Sequence, residues 1–173
     1  MIKTSTLSLG LALALSAGAA SAQTPPPMQV PKAVQAAGPV LTKSSLSAKG
    51  AQTILDAAVA EAVKNQWGMS IALVDESGRL LAFRRTDGAP MGTIDVAQGK
   101  AVTAIKFKMP TRFVQELISK GGAAMLTIKD ITAVTGGYPI EANGQVIGAI
   151  GVSGGLGDED DRTAQAGLAA FPK

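Results

Sequence analysis

The chain contains no histidine and no cysteine. The missing thiols exclude disulfides, thiolate nucleophiles and iron–sulfur clusters. Missing both residue types, it cannot build a Cys/His zinc site either. The missing imidazole excludes every mechanism that relies on a histidine base. Aromatic residues are scarce at 3%, four Phe with one Trp and one Tyr, so the core must be built from Ala, Val, Ile and Leu. Charge is scarce too, at 17%. Sixteen basic against thirteen acidic residues give a net +3, too mild a surplus to argue for a nucleic-acid partner. What the sequence does hold is 46% hydrophobic residues in 173 positions, enough for a packed core in one ordinary domain.

The first 22 residues read as a secretory signal peptide. Lys3 supplies a positive start, residues 7–20 are small and apolar, and Ala20-Ser21-Ala22 fits the small-x-small cleavage pattern. The apolar run is shorter than the roughly 20 residues a membrane span needs, and no basic stop-transfer cluster follows it. A secreted or periplasmic protein without a membrane span in its mature chain is expected. Residues 23–41 carry Pro25, Pro26, Pro27, Pro31 and Pro39 without apolar periodicity, which predicts an extended linker. The domain is expected over residues 42–173.

Within it, Ser47 reads as the N-cap of a helix whose face is Ile54, Leu55, Ala58, Val59, Ala62 and Val63, with Gly68 as its stop. The apolar run 69–74, the turn residues Asp75-Glu76-Ser77-Gly78 and the run 79–85 predict a hairpin. Thr93 reads as the cap of a second helix running to about Phe107, with a mostly small stripe of Ile94, Ala97, Ala101, Ala104 and Ile105. Pro110 interrupts it. A third helix presents Phe113, Val114, Leu117 and Ile118 and stops at Gly121-Gly122. Asn143-Gly144 between two strand-like runs is a strong hairpin signal, and Gly148 and Gly151 predict a close backbone approach. Asp158-Glu159-Asp160-Asp161 opens a terminal helix, where carboxylates suit the positive end of the dipole. This order predicts an α+β fold, a central antiparallel sheet of about five strands packed with helices.

Gly151-Val152-Ser153-Gly154-Gly155 matches the G-x-S-x-G nucleophile elbow, but no histidine exists to activate the hydroxyl. A Ser–Lys pair is the remaining chemistry, and a glycine-rich connection is the plainer reading. The segment Lys106-Phe107-Lys108-Met109-Pro110-Thr111-Arg112-Phe113 crowds three cations, two aromatics and a thioether beside a helix break. By composition it is a solvated helix end with core-facing phenylalanines. It would also suit a flat apolar molecule with carboxylate arms.

Two stretches resemble the GlcG/HbpS family of small haem-binding domains. One runs from Ser70 through Asp75 and on from Gly78 to Ala89. The other runs from Gly136 through Ile140 and on from Gly144 to Gly155, and residues 97–111 resemble the family's helix with a basic-Pro-Thr end. The likeness spans about residues 46–171. It implies an α+β domain that forms homo-oligomers. Some members are secreted and bind haem, one of them serving a signalling partner; a related domain is fused to corrinoid adenosyltransferases.

A histidine iron ligand, used by some relatives, cannot be carried over. By its context Thr111 is the residue matching a threonine ligand described for another member, with Met109 and Tyr138 as further candidates. The leading expectation is a secreted haem-binding or haem-handling protein without classical enzyme activity, holding haem weakly at its surface. Lys106, Lys108 and Arg112 would pair with the propionates, and Phe107 or Phe113 would pack on the porphyrin. The competing expectation is an enzyme or accessory factor acting on a small organic acid, with Arg85, Asp87, Asp95 and Lys100 in a pocket.

Overall fold

The computed structural model describes residues 39, 40 and 42–172. The expected signal peptide and nearly all of the proline-rich linker lie outside the described residues. Helix α1 (Ala48–Lys64) starts where Ser47 Oγ accepts from the Gly50 amide at 3.1 Å. The hairpin of β1 (Ser70–Asp75) and β2 (Leu80–Arg85) follows. Its turn is built by Asp75, whose Oδ1 accepts from the amides of Ser77 and Arg79 and from the Ser77 hydroxyl, at 2.8–2.9 Å. Burial pushes the Asp75 carboxyl up, but these hydrogen bonds and the Arg79 charge outweigh it and hold it below its ordinary value.

Helices α2 (Thr93–Phe107) and α3 (Thr111–Ser119) and a 3₁₀ turn, Ala123–Thr127, lead to a second hairpin, β3 (Gly137–Ala142) and β4 (Gln145–Ser153). Asn143 and Gly144 at its tip both have positive φ, 50° and 73°, as a type I′ turn requires. Helix α4 (Gly157–Ala169) closes the fold. The strands form one antiparallel sheet in the order β2-β1-β4-β3. The fold class is the α+β architecture that the element order implies, with four strands where about five were expected.

Alternation along β1 divides the core. Ile71 and Leu73 join Ile54, Leu55 and Ala58 of α1, with Ile150, Val152 and Ala164, while Ala72 and Val74 face Ala97, Ala101 and Ala104 of α2. The second face is built from alanine because the helix lies very close. A Cβ placed on Gly151 would stand 2.0 Å from the Ala97 carbonyl oxygen.

Three local expectations change. Gln66, φ 59°, takes the left-handed conformation after α1, and Gly68 is instead a close-approach glycine whose Cβ would lie 2.7 Å from the Ala89 amide nitrogen. Gly92, not Thr93, stands at the α2 cap; Thr93 Oγ1 donates to the Pro90 carbonyl at 2.6 Å. Of the α3 apolar face only Val114 is fully buried, and Leu117 is exposed. Among the described residues no helix is long and apolar enough to cross a membrane.

Candidate functional site

The α2–α3 corner is set by backbone chemistry. Lys108 ends α2 in the left-handed conformation (φ 52°, ψ 38°), and Pro110, extended at φ −57° and ψ 138°, starts α3. Proline has no amide to donate, so it suits a position where the helix cannot use one. The corner presents Lys106 and Lys108 exposed, with Phe107, Met109, Arg112 and Phe113 half-buried. Lys106 is lightly engaged, its Nζ donating to the Lys129 carbonyl at 3.0 Å and lying 3.4 Å from an exposed Asp130 carboxylate. Lys108 has no ion-pair partner among the described residues.

Thr111 does not fit the role of metal ligand. Its side chain is fully buried, and Oγ1 donates to the Val134 carbonyl at 2.7 Å and accepts from the Gly137 amide at 2.9 Å. The hydroxyl clips the start of α3 to the start of β3, so a ligand at the surface cannot reach it. Tyr138 is also committed, its hydroxyl accepting from Gln165 Nε2 at 3.0 Å. Burial, aided by the nearby Asp161 carboxylate, raises its phenol above the ordinary value and disfavours a phenolate. Met109 is the candidate iron ligand still placed on the corner.

Arg112 points the other way from an uncommitted cation. Its Nη2 is ion-paired to Asp161 Oδ2, with the guanidinium side 42% exposed and the carboxylate side 4%. The pair borders an open groove of about 550 Å³ lined by Glu61, Arg112, Asp158, Asp161, Arg162 and Gln165, among others. Arg162 is itself held, 2.7 Å from Glu61 and over the Trp67 ring at 5.4 Å.

The residue before Asp161 takes part in a buried ion pair. Lys100 Nζ stands 2.6 Å from Asp160 Oδ2 and donates to the Val152 carbonyl at 2.8 Å, and both residues are under 4% exposed. Asp160 Oδ1 also accepts from the Gly155 amide at 3.0 Å, so the pair ties α2, β4 and the glycine turn to α4. Burial pushes the Asp160 carboxyl above its ordinary value, outweighing the pull of Lys100.

This arrangement corrects two readings. Lys100 is turned inward onto Asp160, while Arg85, Asp87 and Asp95 are exposed, so these four do not form an acid-binding pocket. The same commitment denies Ser153 a lysine base, which leaves Gly151–Gly155 as a glycine-rich connection. The acidic run is also more than a dipole partner. Glu159 accepts from the Leu156 amide at 2.8 Å, but Asp160 and Asp161 turn inward to cations on other helices. Sequence spacing carried no sign of those partners, which lie 60 and 49 positions away. Among the described residues no group of three or more acidic side chains is arranged to hold a metal ion.

Comparison with known proteins places this geometry. The family model described as "Haem degrading protein HbpS-like" matches residues 46–169. The protein GlcG of Escherichia coli K12 is 39% identical over 112 residues, covering 65% of this chain and 84% of GlcG. A double mutant of Streptomyces reticuli HbpS superposes with a TM-score of 0.74 at 31% identity, covering 85% of this chain and all of that one. The PduOC:heme complex superposes with a TM-score of 0.67 at 27% identity, covering 73% and 94%. The match to the family model runs from the residue before the α1 cap to the last residue of α4, across the whole fold just described, and the chain belongs to the HbpS-like family.

Proposed function

We propose that this protein binds haem at the α2–α3 corner, as a secreted homo-oligomer. Lys106, Lys108 and Arg112 pair with the propionates, and Phe107 and Met109 supply the apolar contact. The observation that carries the reading is the corner itself. An exposed cation, Lys108, is forced out of helical conformation between a half-buried aromatic and a half-buried thioether, with two more cations within four residues. That donor set suits the tails and face of a porphyrin. It suits the iron less well, since Met109 offers only a weak thioether and no imidazole exists, so the haem is held weakly and chiefly by its periphery. Membership of the HbpS-like family and the fold shared with a haem complex support the same ligand. The haem iron would supply any redox chemistry; the chain's residues bind and orient it.

Hemin titration of the purified chain is expected to shift and sharpen the Soret band. The double variant Lys106→Ala/Arg112→Ala should lose affinity, and Met109→Leu should alter the Soret position if the sulfur meets the iron. No Soret change in the unaltered chain sinks the reading. Export is checked separately by the N-terminal sequence of the protein recovered from outside the cytoplasm, expected to begin at Gln23.

A further inference from the structure

Resting on the haem reading, we infer that Asp161 sets the affinity of the corner for anionic ligands, as the intramolecular competitor for Arg112. The three cations assigned to propionates are not equally free. Lys108 has no acidic partner among the described residues, and Lys106 meets Asp130 at 3.4 Å with both side chains exposed, a contact of little energy. Arg112 is different because its partner is buried. The Asp161 side chain is 4% exposed, lies in the first turns of α4 and cannot follow the guanidinium outward. Its other oxygen, Oδ1, makes no hydrogen bond, although the Tyr138 hydroxyl lies close enough for the carboxylate to raise the phenol.

Arg112 is therefore the principal group neutralising a buried carboxylate. Swinging it out to a propionate leaves that carboxylate unpaired in a poorly solvated place, which costs more than breaking a surface pair. The guanidinium, 42% exposed, is the mobile member. The surrounding groove adds no compensation, since Glu61 and Asp158 outnumber the one other cation, Arg162, which Glu61 already holds. An incoming carboxylate must outcompete one already in place.

The test compares the full chain with Asp161→Asn, which keeps the shape and removes the charge, and with Asp161→Ser as a second variant should the first fail to fold. Two readouts are used. Phenylglyoxal modification of Arg112, followed by peptide mass spectrometry, should run several-fold faster in the variant. Hemin affinity should rise at least about fivefold, the upper worth of an exposed ion pair, whereas hemin dimethyl ester, which lacks the free carboxylates, should gain nothing. Unchanged Arg112 reactivity overturns the inference whether or not hemin binds. Where the unaltered chain binds hemin, equal or weaker binding by a folded variant overturns it too, as does an equal gain for the ester. Faster Arg112 reactivity with no hemin response in either protein removes the haem reading alone and leaves the sequestered guanidinium standing.

Discussion

Single residues in this protein carry consequences that their types do not announce. Lys100 looks like one more helix-surface lysine between Gly99 and Ala101, yet it lies 2.6 Å from Asp160 inside the fold. Lys100→Met should cost about 3–5 kcal/mol by leaving a buried carboxylate alone, whereas Lys100→Met/Asp160→Leu should recover most of that loss. Urea melts of the three proteins check it; a double variant no more stable than the single would show that the ion pair itself holds the helices. Asp75 allows the sign of a pH effect to be worked out. Its carboxyl is held below the ordinary value in the fold, so its stabilisation is present above the unfolded value and is lost as pH falls through the folded one. The destabilisation caused by Asp75→Ala should thus be largest near pH 7 and shrink towards pH 2.5, measured as the difference in urea midpoint. Asp160 has the opposite sign. Its carboxyl is raised, so its contribution is greatest at low pH and declines as pH rises through the folded value.

The helices and strands were legible where local chemistry decided them. Ser47, the Asp75–Gly78 turn and Asn143-Gly144 each carry their partners within four residues, so sequence alone sufficed. Gly151 was legible in part: a glycine inside a strand says that something comes close, and the structure supplies α2 as that something. Gly151→Ala would place its Cβ 2.0 Å from a backbone oxygen that cannot rotate away. The helix must move, and a loss of about 2–3 kcal/mol is expected in thermal or urea melts. Ser47→Ala should cost about 1 kcal/mol, the ordinary worth of a helix cap. What was not legible was long-range charge pairing. Residues 158–161 read as a helix start, which they are, but the inward turn of Asp160 and Asp161 depends on Lys100 and Arg112 arriving from two other helices. Thr111 shows the same limit. Its motif falls at the α2–α3 corner, and only the tertiary partners Val134 and Gly137 reveal that its hydroxyl is engaged internally.

At the scale of the molecule, stability and ligand capture draw on different forces, and salt should separate them. The core is alanine and branched aliphatic residues on both faces of the sheet, with its ion pair shielded from solvent. Burial of that kind is insensitive to screening, and a shielded pair is only weakly screened. The proposed ligand contacts are of the opposite kind. Lys106, Lys108 and Arg112 stand at the surface, and the propionates they would meet are hydrated charges. With a Debye length of about 10 Å at 0.1 M salt and about 3 Å at 1 M, such contacts weaken steeply. Raising sodium chloride from about 0.02 to 0.5 M should therefore lower hemin affinity several-fold while the melting temperature of the ligand-free protein stays nearly constant. Hemin binding that ignored salt would mean that the porphyrin face and the iron carry the affinity. In a chain with no imidazole and no thiolate, that result would move the site from the cationic corner to an apolar surface of the same fold.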